Sequence, residues 1–107
     1  MITVKISEDF TKTPGGRFIK DGEYSGEQFR NDILIPKYEE ALSEGKKLFV
    51  DLDGCYGMPT SFLEEAFGGI VRIKGNKKIK DILKIKTEDR PDLEEKIWSY
   101  IDAVEVK

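Results

Sequence analysis

The chain has 107 residues, a formal net charge of −3, 38% apolar residues and 36% charged ones. That length makes one domain, residues 1–107, with a single core. The clustered apolar residues exclude a disordered chain, and the interspersed charges offer no basic face of the kind nucleic acids select. The single cysteine, Cys55, rules out an intrachain disulfide, and the absence of histidine removes the commonest general base and transition-metal ligand.

The N-terminal stretch MITVKISEDF lacks a secretory apolar segment, and no apolar run is long enough to span a membrane. The expectation is a soluble cytoplasmic protein with no membrane or nucleic-acid partner and no metal or cofactor. Ile2, Val4 and Ile6 alternate with polar residues and predict a half-buried strand. Pro14-Gly15-Gly16 and Asp21-Gly22 are turn signals, and Arg17–Ile19 between them reads as a short strand of a hairpin. Ser25 with Gln28 has capping-box spacing and opens a helix near Gly26. Phe29, Ile33, Leu34, Tyr38, Ala41 and Leu42 continue at helical spacing. Pro36 predicts a kink or break, and Gly45 a stop.

Leu48, Phe49 and Val50 form an unbroken apolar run, as in a strand covered on both faces. Gly54, Gly57 and Pro59 break regular structure. Ser61 with Glu64 then predicts a second capping box. Phe62, Leu63, Ala66, Phe67, Ile70 and Val71 make an apolar stripe along one helix face. Phe62, Phe67 and Ile70 are expected to be buried against a sheet containing Phe49 and Leu52 or their alternating neighbours. Gly68-Gly69 within that helix suggests close approach of another backbone. Gly75-Asn76 is a turn signal. The stretch from Lys77 to Thr87 predicts an edge strand, with a helical turn at residues 76–82 as an alternative start. A last helix follows Pro91, with Asp92, Glu94 and Glu95 in its first turn. The class is α/β, with roughly four strands in a mixed sheet and three helices.

Three stretches carry candidate chemistry. Asp51-Leu52-Asp53-Gly54 looks like the first motif of haloacid-dehalogenase-type phosphatases, where paired aspartates supply a nucleophile and hold Mg²⁺. The later motifs of that family have no counterpart here, so the sequence predicts no catalytic residue and no enzyme activity. Gly15, Gly16 and Arg17, with Arg30, are a candidate anion or ligand contact through backbone N–H groups and guanidinium groups. Thr60 and Ser61 place hydroxyls at a helix N-terminus, where a phosphate would meet free N–H groups and the positive end of the dipole.

The stretch VDLDGCYGMPTSFLEEAFGGIV resembles the core of STAS domains, the fold of anti-sigma factor antagonists. There a strand ending in Asp-Leu-Ser-Gly leads to a phosphorylatable serine and a helix. Asp51, Leu52 and Gly54 match, Thr60 and Ser61 fall where the family has its serine pair, and Leu63 matches the leucine. Asp53, Pro59 and Phe62 depart from the pattern. A closer resemblance is to the STAS-like family of unknown function, DUF4325. It rests on Pro14-Gly15-Gly16-Arg17, Ser25-Gly26-Glu27, Phe29-Arg30 and the run from Ser61 to Gly68.

That resemblance implies a single STAS-like domain acting as a regulatory protein-interaction module. The implied partner is a histidine-kinase-like ATPase, because members of the family often appear beside one. The implied partner or switch surface comprises Asp53, Gly54, Gly57, Thr60, Ser61, Glu64 and Glu65. A small-ligand or nucleotide sensor is the alternative, and a Mg²⁺-dependent phosphatase is the third reading.

Overall fold

A computed structural model describes residues 1–75 and 77–104. Three strands, β1 (Ile2–Lys5), β2 (Leu48–Asp51) and β3 (Leu83–Lys86), form one sheet in that order. Both pairings are parallel, and the register sets Val4, Val50 and Ile85 side by side. Among the described residues five helices accompany the sheet: α1 (Ile6–Asp9), α2 (26–44), α3 (60–74), α4 (Ile79–Ile82) and α5 (Pro91–Ala103). The α/β class stands, but the sheet has three parallel strands rather than four mixed ones, and there are five helices rather than three. None of the described helices is long and apolar enough to cross a membrane.

Each difference from expectation has a local cause. Residues 17–19 form no strand because two of their backbone donors are taken up by side chains. Asp21 accepts from the Phe18 N–H at 3.2 Å, and Glu27 accepts from the Ile19 N–H at 2.9 Å. Ile19–Asp21 is a single 3₁₀ turn instead. β1 stops at Lys5 because the Asp9 carboxylate accepts the Lys5 N–H at 2.7 Å, and Ile6 begins α1. The helical start before β3 is realised as α4. Of the turn expected at Gly75-Asn76, Gly75 has φ +82° and Asn76 lies outside the described residues.

The start and stop of α2 follow the sequence rules. Ser25 Oγ accepts from the Gln28 N–H at 3.0 Å, and Gln28 reaches back to the N–H of Tyr24. Gly45 closes the helix in the left-handed region at φ +66°. The helix does not break at Pro36. A wide π-turn at Arg30–Leu34 precedes it, with the Ile35 N–H donating to Arg30 O. Proline has no N–H and crowds the carbonyl four residues back. A widened turn just ahead of it loosens the ladder where that strain would fall.

Two successive crossovers moving the same way along a parallel sheet place their helices on the same side when both are right-handed. Burial agrees: Val4, Leu48, Val50 and Leu83 are at most 2% exposed. Their neighbours on the other face are not covered. Thr3 and Lys84 are exposed and Phe49 is half-buried. The expectation that β2 is covered on both faces is therefore corrected.

The six apolar residues predicted on α3 are all buried. Phe29 of α2 packs against Phe62 and Phe67, with ring centroids 5.7 and 6.4 Å apart. The close backbone approach lies at Gly26, not at Gly68-Gly69. A Cβ on Gly26 would stand 2.5 Å from the carbonyl oxygen of Phe62. Gly68 and Gly69 instead make room for side chains. A Cβ on Gly69 would meet the Arg30 guanidinium at 2.8 Å, and one on Gly68 the Glu64 carboxylate at 2.5 Å.

Candidate functional site

The predicted site residues fall into two groups on the structure. The first is the loop that leaves the carboxyl end of β2. Asp53 organises it. Its carboxylate accepts from the N–H groups of Glu88 and Asp89 and from the Thr87 hydroxyl, all at 2.9–3.1 Å. The Asp89 and Glu88 N–H groups, and then Thr87, hold this carboxyl below the usual aspartate range. Asp53 thus ties the end of β2 to the segment after β3. The other aspartate of the pair, Asp51, is buried and accepts the Asp53 N–H at 2.9 Å.

Gly54 has φ +93°, and a Cβ there would meet Ser7 Oγ at 2.7 Å while Ser7 donates to the Asp53 carbonyl. The loop is pinned from its other side as well. The Tyr56 N–H donates to Lys12 O at 2.8 Å, and the Cys55 thiol to Thr11 O at 3.6 Å. Burial, and then Asp51, push the Cys55 thiol above its ordinary pKa. A pocket of about 180 Å³ lies beside this loop, with Leu52, Cys55, Met58, Arg90 and Leu93 among its lining residues. Tyr56 at the tip is 81% exposed. Gly57 and Thr60 are also exposed, and Ser61 is half-buried.

Ser61 is not the cap of α3. The helix begins at Thr60, Pro59 holds the cap position, and no side chain caps the end. The predicted box fails because Ser61 already lies inside the helix, where the Glu64 N–H donates to the Thr60 and Ser61 carbonyls, and because the Glu64 side chain is engaged elsewhere. Glu64 pairs with Arg17, and it accepts from Arg72 at 2.8 and 3.3 Å.

These contacts belong to the second group, an ionic network of three arginines and two glutamates. Glu65 pairs with Arg30, each side chain being 10% exposed. Arg17 and Arg72 lie 3.4 and 3.6 Å from the other Glu65 oxygen. Arg30 stands in the wide turn of α2, and Glu64 and Glu65 stand in a matching wide turn of α3, Glu64–Gly68. Arg72, then Arg17, hold the Glu64 carboxyl below the usual range, and Glu64 in turn raises both guanidinium groups.

The network unites residues that the sequence reading placed in separate candidate sites. Arg17 and Arg30 were candidates for an anion, and Glu64 and Glu65 for a partner. The structure pairs them with each other. Gly15 is likewise engaged: its N–H donates to Tyr24 O at 2.8 Å, and a Cβ there would collide with Glu23 O.

Arg72 bounded the helix surface expected to meet a partner, but its pairing with Glu64 had no sequence signal, because it lies eight positions after Glu64 rather than three, four or seven. Two α-turns span 7.2 residues. The wide turn adds one residue and brings position 72 into line with 64. Tyr56 lies within the loop from Gly54 to Ser61 expected to meet a partner, but nothing local to it distinguishes an exposed loop tyrosine from a packed one.

The family model for the STAS-like domain of unknown function (DUF4325) matches residues 25–93. The chain belongs to this STAS-like family. The matched span contains α2, β2, the pinned loop, α3 and β3. Gly15, Gly16 and Arg17 lie before it. Searches of the curated proteins and of the solved structures found no match.

Proposed function

We propose that this STAS-like chain is a regulatory protein-interaction module without enzymatic activity, similar in role to an anti-sigma factor antagonist. It meets its partner through residues 54–61 and the outer side of α3. The observation that carries this reading is the presentation of Tyr56. The side chain is 81% exposed, yet the loop behind it is held by Asp53, Ser7, Lys12 and Thr11. A large aromatic on a pre-ordered loop loses little conformational entropy on binding, which is the property of interface anchors. The engagement of both Asp51 and Asp53 in loop hydrogen bonds supports binding over phosphoryl chemistry.

The partner is an ATPase of the histidine-kinase-like class, on the strength of the STAS-like resemblance. Thr60 is the switch residue in this reading. Its hydroxyl is exposed at the first position of α3, whose end has no side-chain cap. A phosphate there would meet unpaired helix N–H groups and add charge to the contact surface.

The test is calorimetric titration of the chain with a histidine-kinase-like ATPase from the same organism. Tyr56→Ala should weaken binding by about tenfold or more while the thermal midpoint stays put. Thr60→Asp should weaken it without unfolding the chain. Absence of binding, or unchanged affinity in both variants, rejects the proposal.

A further inference from the structure

The sheet face turned away from α2 and α3 is a second surface, whose row nearest the carboxyl end adjoins the Gly54 loop through Lys5 and Asp51. Parallel register sets Thr3, Phe49 and Lys84 in one row across it and Lys5, Asp51 and Lys86 in the next. Thr3, Lys84 and Lys86 are exposed, and Lys5 and Phe49 are half-buried. Parallel sheets rarely leave a face bare, because crossover helices ordinarily cover both sides. An aromatic ring at the centre of a bare face also gains from being covered.

The charges indicate the kind of cover. Three lysines stand around Phe49, and the acid among them, Asp51, is buried and accepts the Asp53 N–H. Among the described residues, the ion pair on this face is a loose one, Lys86 Nζ to Asp51 Oδ2 at 3.9 Å. The face is therefore positive on a chain whose net charge is −3. A second copy packed face to face would oppose lysine to lysine, so charge disfavours a symmetric pair. Single-stranded nucleic acid is held by successive stacking aromatics, and this face offers one.

We propose that the open sheet face docks an acidic amphipathic segment of a partner protein. Its apolar side lies on Phe49, and its carboxylates face Lys5, Lys84 and Lys86. The segment completes a second helical layer that the described residues do not supply.

The test is an NMR titration of the isotope-labelled full chain with a synthetic helical peptide, leucines along one side and glutamates flanking them. A peptide with lysine in place of glutamate and an oligothymidylate serve as comparisons. Saturable shifts of the β1, β2 and β3 amides with the acidic peptide are expected, and none with the basic one. Lys84→Glu/Lys86→Glu should bind about tenfold more weakly, since several surface charge pairs change sign together. Both positions are exposed, so that variant keeps the fold, which its own spectrum verifies. Phe49→Ser should weaken binding as well. No saturable shift on the strands, equal binding of the basic peptide, or unchanged affinity of the double variant overturns the proposal. So do larger strand shifts with oligothymidylate, or the same shifts from concentrating the chain alone.

Discussion

Breaking the Arg30–Glu65 pair should have unequal consequences for its two members. Both side chains are 10% exposed, so each is largely removed from water and depends on the other. Removing one partner of a buried pair costs about 3–5 kcal/mol, because the remaining charge stays buried without compensation. After Arg30→Met, Glu65 keeps Arg17 at 3.4 Å and Arg72 at 3.6 Å, so the loss should fall near about 3 kcal/mol. After Glu65→Leu, Arg30 keeps a neutral partner, the Asn31 side chain at 3.1 Å, and the loss should approach about 5 kcal/mol. That is a large share of the roughly 5–15 kcal/mol that a domain of this kind has in total. The double variant Arg30→Met/Glu65→Leu buries no unpaired member of this pair and should be more stable than Glu65→Leu alone. Urea unfolding of the four proteins closes the cycle. Simple additivity of the two single losses, or a loss under about 1 kcal/mol for Glu65→Leu, would refute the view that α2 and α3 are joined by a mutually dependent buried pair.

The two serines predicted as caps should now separate. Ser25→Ala removes a formed cap and should cost about 0.5–2 kcal/mol, whereas Ser61→Ala should stay within about 0.5 kcal/mol in the same urea assay. Phe67 is fully buried beside Phe29, and Phe67→Ala should cost about 3–5 kcal/mol by thermal or urea unfolding. Acid should weaken the ionic network through Glu64, whose folded carboxyl is depressed from the ordinary 4.5 by Arg72 and then Arg17. As pH falls below 4.5 the unfolded chain takes up the proton first, so this contribution is full above that value and is lost as pH drops through the lower folded one. Glu64→Gln should flatten the stability profile in that acid window, and an unchanged slope between wild type and variant would contradict the assignment.

Features set by a few neighbouring residues were legible in the sequence alone. The cap at Ser25, the stop at Gly45 and the buried stripe of α3 all depend on contacts within one or two helical turns. So does the alternation of β3, with its exposed Lys84 and Lys86 at the sheet edge. Contacts from distant parts of the chain decided the rest. Ser61 and Glu64 have the spacing of a capping box, but Arg17, far upstream, and Arg72, one wide turn out of phase, claim the glutamate. Residues 17–19 have the pattern of a strand, but Asp21 and Glu27 take two of the N–H groups a ladder would use. The run Leu48-Phe49-Val50 shows that β2 is apolar, but not which residues a helix covers. That depends on both crossovers passing on one side of the sheet, which leaves Phe49 facing away from the core and Leu48 and Val50 within it.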